Sequence, residues 1–256
     1  MNDEKAKVRA QFSKNPQSYV ESITHAKADD LEKLVQWLSP EQSWVVLDVA
    51  TGGGHVAKHV SPYVKQVFST DLTKEMLENT SKNLKDLDNI FYVLADAEEL
   101  PFLNHTFDAV TCRIAPHHFP HPSKFVSEVS RVLKPGGKMM LVDNVAPNDE
   151  NLASYMNTFE QLRDYSHVKC LSTREWKQLF DDNDLVMQKE ECRKKTYEYD
   201  SWVHRTTDTE EQQSKVRDFI LSGSKEQLHY FQIKKQGECI HSLQIDESMF
   251  LCEKNS

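Results

Sequence analysis

The chain has 256 residues, 38% hydrophobic and 28% charged, which fits a globular protein with enough length for one domain with a sizeable core or two small ones. A formal net charge of −9 argues against a broad phosphate-binding face, and the longest apolar run, Ile90 to Ala95, is far short of a membrane span. Five dispersed cysteines form no CxxC pair, and no apolar stretch follows the charged start Met1-Asn2-Asp3-Glu4-Lys5, so the expected setting is a reducing cytoplasm without zinc ribbons or a disulfide framework.

Residues 1–20 are polar and are expected to be loose. Leu31, Leu34, Val35 and Leu38 then recur at the spacing of an amphipathic helix, which Pro40 ends. From 44 to 143 short apolar runs alternate with helical patterns. The runs are Val45-Val46-Leu47, Val67-Phe68, Ile90 to Leu94, Phe107 to Cys112 and Met139 to Val142. Met76, Leu77, Thr80, Leu84 and Leu87 read as one helix face, and Phe125, Val126, Val129, Val132 and Leu133 as another. Continuously apolar strands separated by helices predict a doubly wound, parallel α/β layer. After 145 the alternation breaks. A polar helical insertion is expected at 145–170, and a helix starts at the capping-box pair Ser172 and Glu175. A strand is expected near Leu185 to Met187, a helix over 209–221 and a last strand over Ser248 to Cys252. Arg193-Lys194-Lys195 reads as a solvated turn or strand end.

Only seven residues are glycine, and five lie in two clusters, Gly52-Gly53-Gly54 and Gly136-Gly137. The first cluster joins a buried strand to a helix, the place where open α/β sheets bind ligands. Asp71 follows the second strand and could accept hydrogen bonds from a ribose or, with Thr73, cap a helix. Asp96-Ala97 follows the third and could read an adenine edge, or be a plain loop acid. Gly52 to Ala57 also matches the G-x-G-x-x-A pattern of NAD sites. Asp48 opposes that, because a carboxylate beside the loop repels a pyrophosphate and welcomes a ligand with an ammonium and a sulfonium, such as S-adenosylmethionine. Lys134-Pro135-Gly136-Gly137 has the residue order of a type II turn. His117, His118 and His121 lie in a loop stiffened by three prolines; no carboxylate or thiol completes a usual ligand set there, so no metal is expected.

Asp48 to Gly54, Asp71, Asp96 to Phe102 and Leu133 to Gly137 together resemble the class I methyltransferases. The resemblance is closest to the type 11 group, similar to ubiquinone/menaquinone biosynthesis methyltransferases, and covers roughly residues 25–145. It implies a seven-stranded, mostly parallel Rossmann-like sheet ending in an antiparallel hairpin, with helical cap segments. It implies S-adenosylmethionine as methyl donor and S-adenosylhomocysteine as product. The cofactor contacts it implies come from Asp48, Ala50, Gly52 and Gly54; from Asp71, Leu72 and Met76; from Asp96 and Ala97; and, at the methionine part, from Arg113 and Ile114. Gly53 is expected only to permit the turn. Ala50 stands where the family has glycine, which a negative φ would allow. His117 and His118 would face the acceptor as catalytic bases, or one of them would pack structurally while the other shapes the pocket. Tyr19 and His25 belong to an expected lid, residues 1–40, closing on a methyltransferase domain, 41–256, with its cap insertion at 145–170. The reading is methyl transfer to a carbon or oxygen of a small-molecule acceptor, with no nucleic acid or membrane span and with oligomeric state open, a homodimer included. An NAD-dependent oxidoreductase and a non-catalytic S-adenosylmethionine-binding module are the alternatives.

Overall fold

A computed structural model of the chain describes residues 3–13 and 29–255. Among the described residues the first helices are α1 (Asp3–Ser13) and α2 (Asp29–Leu38). Alternation follows: β1 (Val45–Val49), α3 (His55–Val60), β2 (Gln66–Asp71), α4 (Lys74–Asn83), β3 (Ile90–Leu94), β4 (Phe107–Arg113), α5 (Pro122–Val132) and β5 (Leu133–Asn144). The remainder is α6 (Glu150–Arg163), α7 (Thr173–Asp181), β6 (Leu185–Glu198), α8 (Tyr199–His204), α9 (Glu210–Leu221), α10 (Lys225–Tyr230), β7 (Lys234–Gln236) and β8 (Cys239–Lys254).

One sheet runs in the order β3-β2-β1-β4-β5-β8-β6, with β7 paired to β8. The first five strands are parallel, and β8 lies antiparallel between β5 and β6. The sheet is thus doubly wound, mostly parallel and closed by an antiparallel pair, with eight strands where seven were predicted. The extra one is the three-residue β7, too polar to stand out in the sequence.

Alternate side chains of each strand feed two different cores. Leu47, Met139 and Leu141 face a cluster with Phe125 and Val129 of α5 and Trp176 of α7. Val46, Met140 and Val142 face a second cluster with Leu31 and Leu34 of α2 and Val60 of α3. The runs read as apolar throughout because both faces are covered. Gly136 has φ +71, as the third position of a type II turn requires, and a Cβ on Gly137 would meet the Lys134 carbonyl at 2.8 Å.

A third core stands apart and forms the cap. It joins Met156 and Phe159 of α6, Trp202 of α8, Ile220 of α9 and Phe231 to Tyr197, Leu243 and Ile245. The last three lie on β6 and β8, which at 14 and 16 residues outrun the sheet and carry the cap.

Two expectations are corrected. The polar start is helical: α1 lacks an apolar stripe but is tied to the body by Lys5 and by Gln11, whose amide donates to the Thr206 carbonyl at 3.4 Å. Arg193-Lys194-Lys195 is neither turn nor strand end. It lies within β6, where Glu247 and Asp246 of β8 pair its charges at 2.7–3.1 Å. Among the described residues no helix is long and apolar enough to cross a membrane.

Candidate active site

The carboxyl ends of the parallel strands, α1 and the cap enclose a cavity of about 170 Å³. Its floor is the turn after β1. Asp48 is buried there, accepting from Thr51 Oγ1 at 2.6 Å and Thr111 Oγ1 at 2.7 Å. Burial raises its pKa to about 6 against those hydrogen bonds and the Arg113 charge. Thr80 of α4 donates to the Gly52 carbonyl at 2.5 Å and pins the turn from below.

The residues of this turn divide differently from expectation. Gly52, at φ +52, lines the cavity, and a Cβ there would meet nothing closer than the Ala50 carbonyl at 4.0 Å. Gly53 also lines it. Gly54 does not: at φ +78 it packs against α4, where a Cβ would lie 2.5 Å from Thr80 Cγ2 and 2.7 Å from Leu84 Cδ1. Its requirement for glycine is helix packing. Ala50 lines the cavity with φ +52, so the negative φ expected of it is not adopted.

Asp71 stands at the end of β2, where one carboxylate oxygen accepts from the Gly52 amide at 3.1 Å and the other from the Thr73 amide at 2.9 Å. Desolvation raises its pKa to about 6. Leu72 and Met76 continue this wall, and Asp96 and Ala97 follow from the end of β3. Asp96 does not face open space. Lys5 of α1 reaches its Oδ2 at 2.6 Å and Glu98 Oε2 at 2.6 Å. Arg113 and Ile114 close the far side. Arg113 is held by the buried Asp30 through Nε at 2.5 Å and Nη2 at 3.2 Å, and Ile114 sits at φ +51.

His117 and His118 form a short helical turn after β4, both buried at the cavity wall. Asp143 of β5 binds His117 twice, accepting from its amide at 3.0 Å and lying 2.7 Å from Nδ1. A carboxylate on Nδ1 assigns the ring proton to that nitrogen and leaves Nε2 as the basic one. Burial opposes protonation of His117, but Asp143 outweighs it and the pKa is raised. His118 differs. Burial and the neighbouring His117, 4.2 Å away between ring centroids, lower it to about 4, and its Nδ1 rests 3.0 Å from the Ser166 carbonyl. Tyr19 and His25 lie outside the described residues.

Several wall residues are not singled out by the sequence: Asn144 on β5, Arg163 and Asp164 at the end of α6 and Trp202 on α8; Lys195 on β6, expected in a solvated turn or strand end, also lines the cavity, and Asp143 on β5 stands behind His117. The end of β5 could have been flagged by its position alone, since strand ends bear ligands. The others come from the cap, whose spacing follows no motif.

A doubly wound sheet closed by an antiparallel pair, with a glycine turn after β1 and acids after β2 and β3, defines a Rossmann-like methyltransferase. Residues 47–141 match the family model for the type 11 methyltransferase domain. The uncharacterized methyltransferase YcgJ of Bacillus subtilis is 39% identical over 196 residues, 76% of this chain and 78% of YcgJ. A Bacillus halodurans C-125 protein assigned provisionally to the methyltransferases superimposes with a TM-score of 0.87 at 36% identity, over 90% of this chain and 100% of that one. UbiE of Brucella canis, a ubiquinone/menaquinone biosynthesis C-methyltransferase, is 38% identical over 120 residues, 44% of this chain and 45% of UbiE. The chain belongs to the class I S-adenosylmethionine-dependent methyltransferases of the type 11 group, which displaces the NAD-dependent reading.

Proposed function

We propose that this enzyme transfers the methyl group of S-adenosylmethionine to an oxygen or carbon of a small-molecule acceptor, with His117 as the base that takes the acceptor's proton. The observation that carries the reading is His117 in the cavity wall, backed by the buried Asp143 at 2.7 Å. Such a pair fixes the tautomer and steadies the imidazolium that forms on proton uptake.

The wall fits the donor. Gly52 leaves its backbone open where a Cβ would stand, and Asp48 and Asp71 give negative potential suited to a ligand with an ammonium and a sulfonium. Asp48, Ala50, Gly52, Asp71, Leu72, Met76, Ala97, Arg113 and Ile114 would hold it, with Asp96 joining once Lys5 moves aside. When bound, the donor supplies an electrophilic methyl carbon on a positively charged sulfur. The protein's own work is then to orient, dry and deprotonate. Orientation in aligned reactions is worth about 7–11 kcal/mol. Val8 and Phe12 of α1 and Trp202 of the cap place apolar surface on the cavity and exclude water. His118, driven toward the neutral form, keeps a second positive charge away from His117. We assign residues 1–40 to the lid and 41–256 to the methyltransferase domain. The five unpaired cysteines support a reducing, cytoplasmic setting.

The test is calorimetric titration with S-adenosylhomocysteine and NAD, followed by labelled-methyl transfer across an acceptor panel. Wild type is expected to bind the former, and Asp71→Ala to weaken it by tenfold or more. Unchanged affinity in that variant would remove the site assignment. His117→Asn is expected to keep the affinity and to lower turnover by 10²-fold or more.

A further inference from the structure

Asp48, Asp71, Asp96 and Glu98, the last two paired to Lys5, line the cavity together with the basic side chains of Arg113 and Lys195 and the amide of Asn144. The strand register explains why these three gather. Arg113 pairs with Val142 across β4 and β5, Asn144 pairs with Glu247 across β5 and β8, and Glu247 pairs with Arg193 across β8 and β6. Asn144 lies two residues beyond Val142, and Lys195 two beyond Arg193. All of them therefore project from one face of the sheet, Arg113 and Asn144 at the ends of their strands and Lys195 within β6.

Each donor is anchored from behind and keeps capacity toward the cavity. Asp30 takes Nε and Nη2 of Arg113, leaving Nη1 uncommitted. Glu247 takes one hydrogen of the Lys195 ammonium at 2.7 Å, leaving two. Tyr197 donates to Asn144 Oδ1 at 3.3 Å, which leaves the Nδ2 hydrogens of this cavity-lining residue available. Asp30 and Glu247 are 1% and 2% exposed and neither lines the cavity, so they orient the donors without filling the space in front of them.

We propose that Lys195 and Asn144, beside the Arg113 that would hold the donor, form a subsite for a carboxylate carried by the methyl acceptor. The proposal rests on the methyltransferase reading and names the class of its acceptor: a small organic acid with an ionisable O–H or C–H. Base and subsite flank the end of one strand, since Asp143 holds His117 and the next residue, Asn144, faces the subsite. An acceptor anchored by its carboxylate at the subsite would present its acidic proton to His117. The Lys195 ammonium and the Asn144 amide would both donate to an ionised carboxylate, and hydrogen bonds to an ionised partner are about twice as strong as neutral ones.

The test uses the full chain saturated with S-adenosylhomocysteine and two probes of one shape, benzoate and benzamide, read from the Trp202 indole resonance by NMR. Benzoate is expected to bind at least tenfold tighter than benzamide. Lys195→Met and Asn144→Ala should each erase most of that preference, and Lys195→Arg should retain it. Equal binding of the two probes, or binding of neither, overturns the proposal while leaving the methyltransferase reading intact, provided S-adenosylhomocysteine binds. Failure of S-adenosylhomocysteine to bind wild type instead overturns that reading. If Lys195→Met weakens S-adenosylhomocysteine tenfold and spares the probe preference, the subsite serves the donor's own carboxylate and the proposal falls.

Discussion

Two non-glycine residues at the cavity wall occupy the left-handed region, Ala50 at φ +52 and Ile114 at φ +51. A Cβ costs roughly 1–2 kcal/mol there, and a β-branched residue is the more unusual occupant. Ala50→Gly should therefore stabilise the fold by about 1 kcal/mol and raise Tm by about 2–4 °C, read by calorimetric unfolding. A drop in Tm would mean the surroundings select alanine for its methyl group. Asp48 holds the opposite tension. Its pKa rises from 3.8 to about 6, so between those values the folded state binds more protons than the unfolded one, and stability falls as pH rises across that window. Asp48→Asn should gain on the order of 1–3 kcal/mol at pH 7, from about 1.4 kcal/mol per pKa unit, and bind S-adenosylhomocysteine less tightly. For His117 the raised pKa gives turnover an acid limb: kcat/KM should climb with pH through a value above 6.5. His117→Asn should lack that limb. Asp48, Gly52, Asp71 and Asp96 were legible because each follows a readable strand. Asp143 was not, because it meets His117 across a gap of 26 residues that only strand pairing closes.

At the scale of elements, α1 and α7 show opposite ways for a helix to form. α7 announces itself by the Ser172–Glu175 capping box and buries Trp176 and Phe180 four residues apart. α1 has no such stripe and was read as loose; its partners lie far along the chain, Asp96 and Glu98 for Lys5 and Thr206 for Gln11. Lys5 presents an ammonium to the acid expected to read the adenine amine. Lys5→Ala should free Asp96 and raise S-adenosylhomocysteine affinity by about threefold to tenfold, a scale set by exposed-to-partly-buried ion pairs. An unchanged Kd would show that the two do not compete. The cap helices were legible singly, at 150–163 and 210–221, but their common core was not, because Phe159, Trp202 and Phe231 converge from segments with no shared period.

Across the whole molecule, sheet and cap share two strands. β6 and β8 pair from Leu185 with Lys254 up to Glu198 with Ser242, through the sheet and on into the cap. The cap core and the two cores of the sheet are thus coupled by backbone hydrogen bonds along β6 and β8, and one cooperative unfolding transition is expected. Phe159→Ala, at a fully buried position of the cap, should cost about 3–5 kcal/mol, and urea unfolding followed by fluorescence and by circular dichroism should shift together. Separate midpoints for the two probes would uncouple them.

The position of β8 also governs the order in which the molecule is made. β6 leaves the ribosome before β8, yet its place in the sheet exists only once β8 has inserted beside β5. Until then the nascent chain carries two open strand edges, and the wall that gathers Arg113, Asn144 and Lys195 has no backing from Glu247. Loop closure across that distance is slow, and unpaired edges invite association with other chains. Translation stalled between residues 200 and 238 should yield chains that engage holdase chaperones, whereas release beyond 254 lets them fold.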